Sequence, residues 1–223
     1  MIVDTMTTAE VFRELEADRD NVSGWWVHKR EDMKKRALKC ARFPMTVWWQ
    51  YTSPRKNSYL VMAAAYGRKY LKQNGMCILA LQHTPAGLTA YTQKLNWMHF
   101  MDRMVFTAHM WKRYRERINT YKTGIELMKQ YFTNNGYGEE TEGSQFVGRS
   151  VRYNGHDNIC LSINDGVLLG ERKDDAFIAK TFITYDMATG LQRQEFDAKR
   201  EAVPTNEQLC AHCRKQIKNM TAW

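Results

Sequence analysis

Between Phe106 and Arg117 the chain reads Phe-Thr-Ala-His-Met-Trp-Lys-Arg-Tyr-Arg-Glu-Arg. His109, Arg113 and Arg117 recur every four residues, a spacing that lines them along one face of a helix. An imidazole that titrates near neutrality beside two permanent cations suits chemistry on a phosphodiester. The imidazole passes a proton, while guanidinium groups hold phosphate oxygens and offset charge accumulating in the transition state. RNA brings its own nucleophile in the 2′-hydroxyl, so this route needs neither a metal nor a cofactor. Thr107 is placed to cap the helix, which sets His109 in the first turn, where the helix dipole favours the neutral imidazole. The same residues also describe a solvated basic face on which Glu116 pairs with Lys112, a surface contact worth little.

Other chemistry-bearing residues give weaker signals. Cys210-Ala-His212-Cys213 has the spacing of half a zinc site but lacks two further ligands nearby, and thiols on a terminal helix are the simpler reading, so no metal site is assigned. His99, between Met98 and Phe100, reads as a satisfied core residue, although it and Asp102-Arg103 could support His109. Glu171 could serve as a base at a strand end, yet Glu171-Arg-Lys-Asp-Asp175 is more simply a charged turn. Gly138 and Gly143 have phosphate-loop spacing, but Ser144 stands where that loop needs lysine. No dinucleotide fingerprint, zinc-protease helix or nucleophile elbow is present.

Charge is concentrated. The 223 residues carry a formal net charge of +9, and residues 25–122 alone hold nineteen basic and four acidic side chains. Residues 1–24 and 123–223 are both net acidic. A central excess of this kind attracts polyanions, with nucleic acid the commonest partner, and binding through it weakens with salt. Lys112, Arg115, Arg103, Arg55 and Lys56 are the residues of this stretch expected to hold phosphates. Some of the seven Trp and eleven Tyr could stack on unpaired bases, although most are expected in the core. A composition of 43% hydrophobic and 26% charged residues excludes collagen, disorder and low-complexity repeats. The longest stretch without a charge, 73–93, contains Gln73, Asn74, Gln82, His83, Thr84 and Pro85 and is too polar for a bilayer crossing. The acidic start argues against a signal peptide, and five scattered cysteines read as reduced thiols, so a cytoplasmic location is expected.

The elements that must position these residues follow from capping and turn chemistry. Thr7-Thr-Ala-Glu10 is a capping box that opens a first helix, and a second helical stretch is expected from Asn21 to about Lys39, bounded by Pro44. Thr46–Thr52, Ser58–Tyr66, Met76–Leu81 and Leu88–Gln93 read as strands, with turns at 53–57, Asn74-Gly75 and 85–87. Thr107 to Tyr121 is the clearest helix, with Met110, Trp111, Tyr114, Ile118 and Tyr121 on one side, and 125–134 continues helical. Four further strands are expected over 146–153, 158–164, 167–171 and 176–185, separated at Asn154-Gly155, Asp165-Gly166 and Asp174-Asp175. Helices at 191–200 and 205–218 would close the chain. The expected class is α+β: N-terminal helices (1–45), an antiparallel β-meander sheet packed on a central helix (46–192) and C-terminal helices (193–223), in one compact unit.

Phe106-Thr107-Ala108-His109, Arg113-Tyr114 and Glu116-Arg117, followed by a meander ending in Lys180-Thr-Phe-Ile-Thr184, resemble a group of uncharacterised bacterial proteins. That group is similar in outline to the barnase/colicin/toxin ribonuclease superfamily, over roughly residues 106–192. The resemblance implies metal-independent RNA cleavage by His109, Arg113 and Arg117 with Thr181 or Thr184 on the last strand. It also implies a toxin-type role, with an antitoxin or other protein partner. The chain departs from the pattern in having no second histidine on the final strand, since His156 falls at a turn. An inactive relative, a non-catalytic nucleic-acid-binding module and a protein-interaction scaffold are the alternatives.

Overall fold

The computed structural model describes residues 1–68, 75–95, 103–135, 149–153, 156–173 and 176–187. The expected helices at 191–200 and 205–218, the Cys210/His212/Cys213 group, His99 and the Gly138–Gly143 loop lie outside them.

Helix α1 spans Thr8–Lys39, and its start follows the capping box: Thr7 Oγ1 accepts from the Glu10 amide (3.3 Å) while Glu10 Oε2 accepts from the Thr7 amide (2.8 Å). One helix runs where two were expected. Asn21 does not cap a second helix, because its side-chain amide donates to Asp18 Oδ1 one turn earlier (2.8 Å). The buried stripe Val11, Leu15, Asp18, Val22, Trp26, Met33 and Ala37 continues through that point at helical spacing.

The strands are β1 (Met45–Thr52), β2 (Ser58–Ala65), β3 (Gly75–Thr84), β4 (Gly87–Thr92), β5 (Arg103–Phe106), β6 (Arg149–Tyr153), β7 (His156–Ile163), β8 (Gly166–Lys173) and β9 (Ala176–Ile183). They form one nine-stranded sheet in the order β1-β2-β3-β4-β5-β9-β8-β7-β6. Every pairing is antiparallel except β5 with β9, so two antiparallel meanders meet along one parallel joint. The fold is therefore α+β, with a sheet made of two meanders rather than one. His156 is the first residue of β7, paired with Tyr153, and the β7–β8 turn centres on Asn164-Asp165, one residue earlier than expected.

Alternation sends the two faces of β2 into different cores. Tyr59, Val61, Ala63 and Ala65 meet α1, whereas Leu60 and Met62 join a core with helices α2 (Ala108–Arg117) and α3 (Gly124–Asn135). Helices thus cover the sheet on both faces. On the second face Phe106, Trp111, Tyr114, Tyr131, Phe132 and Phe182 make edge and stacked ring contacts at 4.9–6.1 Å, which fix α2 and α3 over β5 and β9. Helix α2 stops at Arg117, earlier than its sequence suggests: Asn119 takes a left-handed φ of 51°, and Tyr121, expected on the apolar side, is 92% exposed.

Asp18 lies in the apolar stripe of α1 and is 0% exposed. Its carboxylate accepts from Ser53 Oγ (2.5 Å), Asn57 Nδ2 (2.7 Å), Tyr59 Oη (2.7 Å) and Asn21 Nδ2 (2.8 Å). Burial raises its pKa, but these four donors together outweigh that cost and hold the group below its ordinary value. One turn earlier Glu14 takes Arg55 in a two-pronged pair (2.9 and 2.7 Å) and also accepts from Asn57 and the Met1 ammonium. Arg55 is the main reason the Glu14 pKa falls from 4.5 to about 2. Together they pin α1 to the β1–β2 turn.

Two outcomes follow. The folded pKa of Glu14 lies below its unfolded value, so its stabilisation is complete above pH 4.5 and lost as pH falls toward about 2. Urea midpoints measured across that window should drop with pH, and the drop should be smaller in Glu14→Gln. At the β8–β9 bulge, a Cβ on Gly170 would come within 2.1 Å of the Ile178 carbonyl oxygen. Gly170→Ala should therefore lower stability by roughly 1–3 kcal/mol in the same assay.

Candidate functional site

Helix α2 is set by a single residue at its start. Thr107 Oγ1 accepts from the Met110 amide (3.2 Å) and donates to the Ala179 carbonyl of β9 (2.9 Å), so it caps the helix and ties it to the sheet. Met110, Trp111 and Tyr114 then point into the core, leaving two polar flanks on either side.

The first flank carries His109, Arg113, Glu116 and Arg117. His109 is exposed, and its Nε2 accepts a long contact from Arg113 Nε (3.4 Å). At that length, between two solvent-facing side chains, the contact holds the imidazole only weakly. Arg113 also donates from Nη1 to Glu116 Oε2 (3.0 Å), an exposed pair along its own helix, so Glu116 pairs to Arg113 instead of to Lys112. Arg117 Nη1 is buried without an acceptor among the described residues.

The two threonines are not brought to this flank together. At the bulge Leu169 pairs with Thr181 and Gly170 with Ala179, so Lys180 is an extra residue on β9. Phe182 faces Tyr114 of α2, which leaves Thr181 on the opposite face, across from Leu169. Thr184 follows the last residue of β9, in a turn where its carbonyl accepts from the Met187 amide (3.1 Å). Glu171, the possible strand-end base, forms an ion pair with Lys180.

The second flank borders a cleft of about 270 Å³ between α2, the β3–β4 turn and the start of α3. Its cations are Lys112 and Arg115, and neither has an acidic partner among the described residues. Leu88, Trp111, Leu127 and Met128 give it apolar walls, and Thr123 and Gly124 line it where α3 begins. Among the described residues no carboxylate lines it. His109, Arg113 and Arg117 lie outside it.

The remaining basic candidates are elsewhere. Arg55 is held by Glu14 on the α1 side of the sheet, Lys56 projects from the same β1–β2 turn with a φ of 64°, and Arg103 stacks its guanidinium on Phe12 of α1 at 5.2 Å. Trp25, Trp49 and Tyr51 use their ring faces on one another, with Trp25 and Tyr51 stacked at 4.6 Å. Among the described residues no group of His, Cys, Asp and Glu is arranged to hold a metal, and no helix is long and apolar enough to cross a membrane.

One polar junction was not anticipated from the sequence. Asp165, in the β7–β8 turn, accepts from Tyr114 Oη and from Asn135 Nδ2 (3.1 Å), and its amide donates to Asn135 Oδ1 (3.0 Å). Burial, and then this hydrogen bond, push the Tyr114 hydroxyl well above its usual range. The junction fixes the angle between α2, α3 and the second meander. The adjacent Asn134-Asn135 at the end of α3 was its only sequence trace. No protein-family model, curated protein or solved structure matches the chain.

Tyr114→Phe, which keeps the ring packing on Tyr131 and Phe182 but removes the donor to Asp165, should cost roughly 1–3 kcal/mol. An unchanged urea midpoint would show that the junction contributes nothing to holding α2.

Proposed function

We propose that the protein binds nucleic acid, RNA foremost, through the second flank of α2, and does not cleave it. The observation that carries this reading is the pairing state of the cations. Arg55, Arg103 and Arg113 are engaged within the protein, whereas Lys112 and Arg115 stand beside a cleft and have no carboxylate partner among the described residues. Unneutralised cations at a concave place concentrate phosphate and release counterions when it binds. The apolar wall offers a surface on which a sugar or base can rest. Cleavage is the weaker reading, because Arg113 is paired with Glu116 and Thr181 lies across the sheet from the helix flank that carries His109. The thiols of Cys40 and Cys77 suit a cytoplasmic setting, which forms part of the proposal.

Anisotropy of a labelled single-stranded RNA should show binding that weakens steeply between low and moderate salt. Removing Lys112 and Arg115 together should reduce the slope against log salt by about 2, at about 1 per phosphate contact. Affinity should stay near the parent value in His109→Ala. RNA incubated with the protein and a chelator should stay intact. Cleavage abolished by His109→Ala would replace this proposal with the ribonuclease reading, and binding insensitive to salt would remove it.

A further inference from the structure

The sheet ends in two unlike edges. At one, β6 carries Arg149 and Arg152 within five residues, the kind of charge that keeps an edge strand from pairing. At the other, β1 runs for eight residues, Met-Thr-Val-Trp-Trp-Gln-Tyr-Thr, with no charge, no proline and an unbroken register against β2. Among the described residues no strand pairs with its outer side. The Ser53 amide donates to the Asn57 carbonyl (3.0 Å), which makes 53 and 57 a hydrogen-bonded pair. Alternation from there turns Tyr51, Trp49, Val47 and Met45 toward β2 and directs the amides and carbonyls of Thr46, Trp48, Gln50 and Thr52 outward. The side chains of Thr46, Gln50 and Thr52 are exposed. Trp25, Trp49 and Tyr51, which cluster on the α1 face of this edge, are only partly buried.

We propose that β1 is the seam of a two-fold homodimer, in which it pairs antiparallel with the β1 of a second copy. A two-fold axis perpendicular to the sheet keeps like faces together, so residues opposite one another across the seam share a face in each copy. Of the registers this allows, the one centred on Trp49 sets Thr46 against Thr52 of the partner subunit and Trp48 against Gln50 of the partner subunit. Every outward amide and carbonyl then has a mate. Shifting the centre to Trp48 or to Gln50 sets Thr52 against Pro44 or Thr46 against Pro54, and neither proline has an N–H to give. The favoured register also puts Trp49 on the axis, in the closely spaced kind of pair, with Tyr51 across from Val47 on the same face.

The occupant is a second copy because the charge beside the seam is complementary to itself. Helix α1 runs antiparallel to β1: Glu14 meets Arg55, Asp18 meets Ser53, and Trp25 lies against Tyr51 and Trp49. An axis at Trp49 therefore passes near Trp25. It sets residues 8–24 of one α1, with five acidic and two basic side chains, alongside residues 25–39 of the other, with two acidic and six basic. The net charge of +9 on each copy opposes association, but exposed charges more than about 8 Å apart are largely screened at about 0.15 M salt.

Light scattering of the full chain should give twice the chain's mass, with monomer appearing on dilution. Gln50→Lys sets a charge against the seam and Gln50→Pro removes an outward N–H, and neither touches a backbone bond to β2. Each should weaken the dimer about tenfold or more while keeping the circular dichroism of the parent. Thr46→Cys and Thr52→Cys read the register, because these positions lie opposite one another at about 5.5 Å between Cα atoms, within disulfide range. Mixed under a mild oxidant, the two single variants should form a covalent dimer that neither forms alone. A monomer at every concentration overturns the proposal and leaves the edge to a strand of another protein. A dimer indifferent to both Gln50 variants, open-ended larger assemblies, or cross-linking by each cysteine variant on its own as readily as by the mixture also overturns it.

Discussion

The joint between β5 and β9 carries the architecture. It is four residues long, Arg103 to Phe106 against Ala176 to Ala179, and is the one parallel pairing in the sheet. Without it the chain holds two separate antiparallel meanders, each with an open edge where the other now pairs. Parallel strands need a crossover, and here the crossover contains α2, α3 and the first three strands of the second meander, β6 to β8. Thr107 stands at the first step of that crossover, bonded to Ala179 by both its amide and its hydroxyl. The position of α2, and with it the cleft and both polar flanks, is set by where these few residues meet.

Two carboxylates secure the layers on either side of that joint, and they do so by similar means. Asp18 on α1 gathers donors from the β1–β2 turn, and Asp165 on the β7–β8 turn gathers donors from α2 and α3. In each case a tyrosine and an asparagine supply hydrogen bonds to the acid. At Asp18 four donors converge on the carboxylate, three on Oδ2 and one on Oδ1, in a site closed to solvent, so the group is committed to the fold. It acts as a buried anchor whose desolvation cost is offset by hydrogen bonds, and such an anchor fixes geometry more than it adds net stability.

How legible these features are depends on how local their causes are. The capping box at Thr7, the Thr107 cap and most of the hairpins depend on residues within a few positions of one another, and the sequence displays them. β5 has no such signature: four residues are too few to show alternation, and its partner on one side is more than seventy positions away. The continuity of α1 is masked by Asn21, whose preference for capping is overridden by its bond to Asp18. Asp18 itself stands out as an acid in an apolar stripe, but its partners at Ser53, Asn57 and Tyr59 become visible only when the β1–β2 turn is folded against it.

The basic character of the central stretch illustrates why composition alone does not define a surface. Residues 25–122 look like one cationic region, yet folding distributes them over opposite faces of the sheet. Arg55 becomes a structural counterion for Glu14, Arg103 a cover for Phe12, and Arg113 a partner for Glu116. The regular spacing of His109, Arg113 and Arg117 marks the flank on which the guanidinium of Arg113 is already used. Lys112 and Arg115, with no conspicuous spacing of their own beyond i and i+3, face a concavity whose other walls come from the β3–β4 turn and from α3. What separates a structural cation from an unpaired one here is the company its charge keeps after folding. Under the nucleic-acid proposal, the cations that retain their field for a ligand are those that have no acid beside them among the described residues and a hollow in front of them.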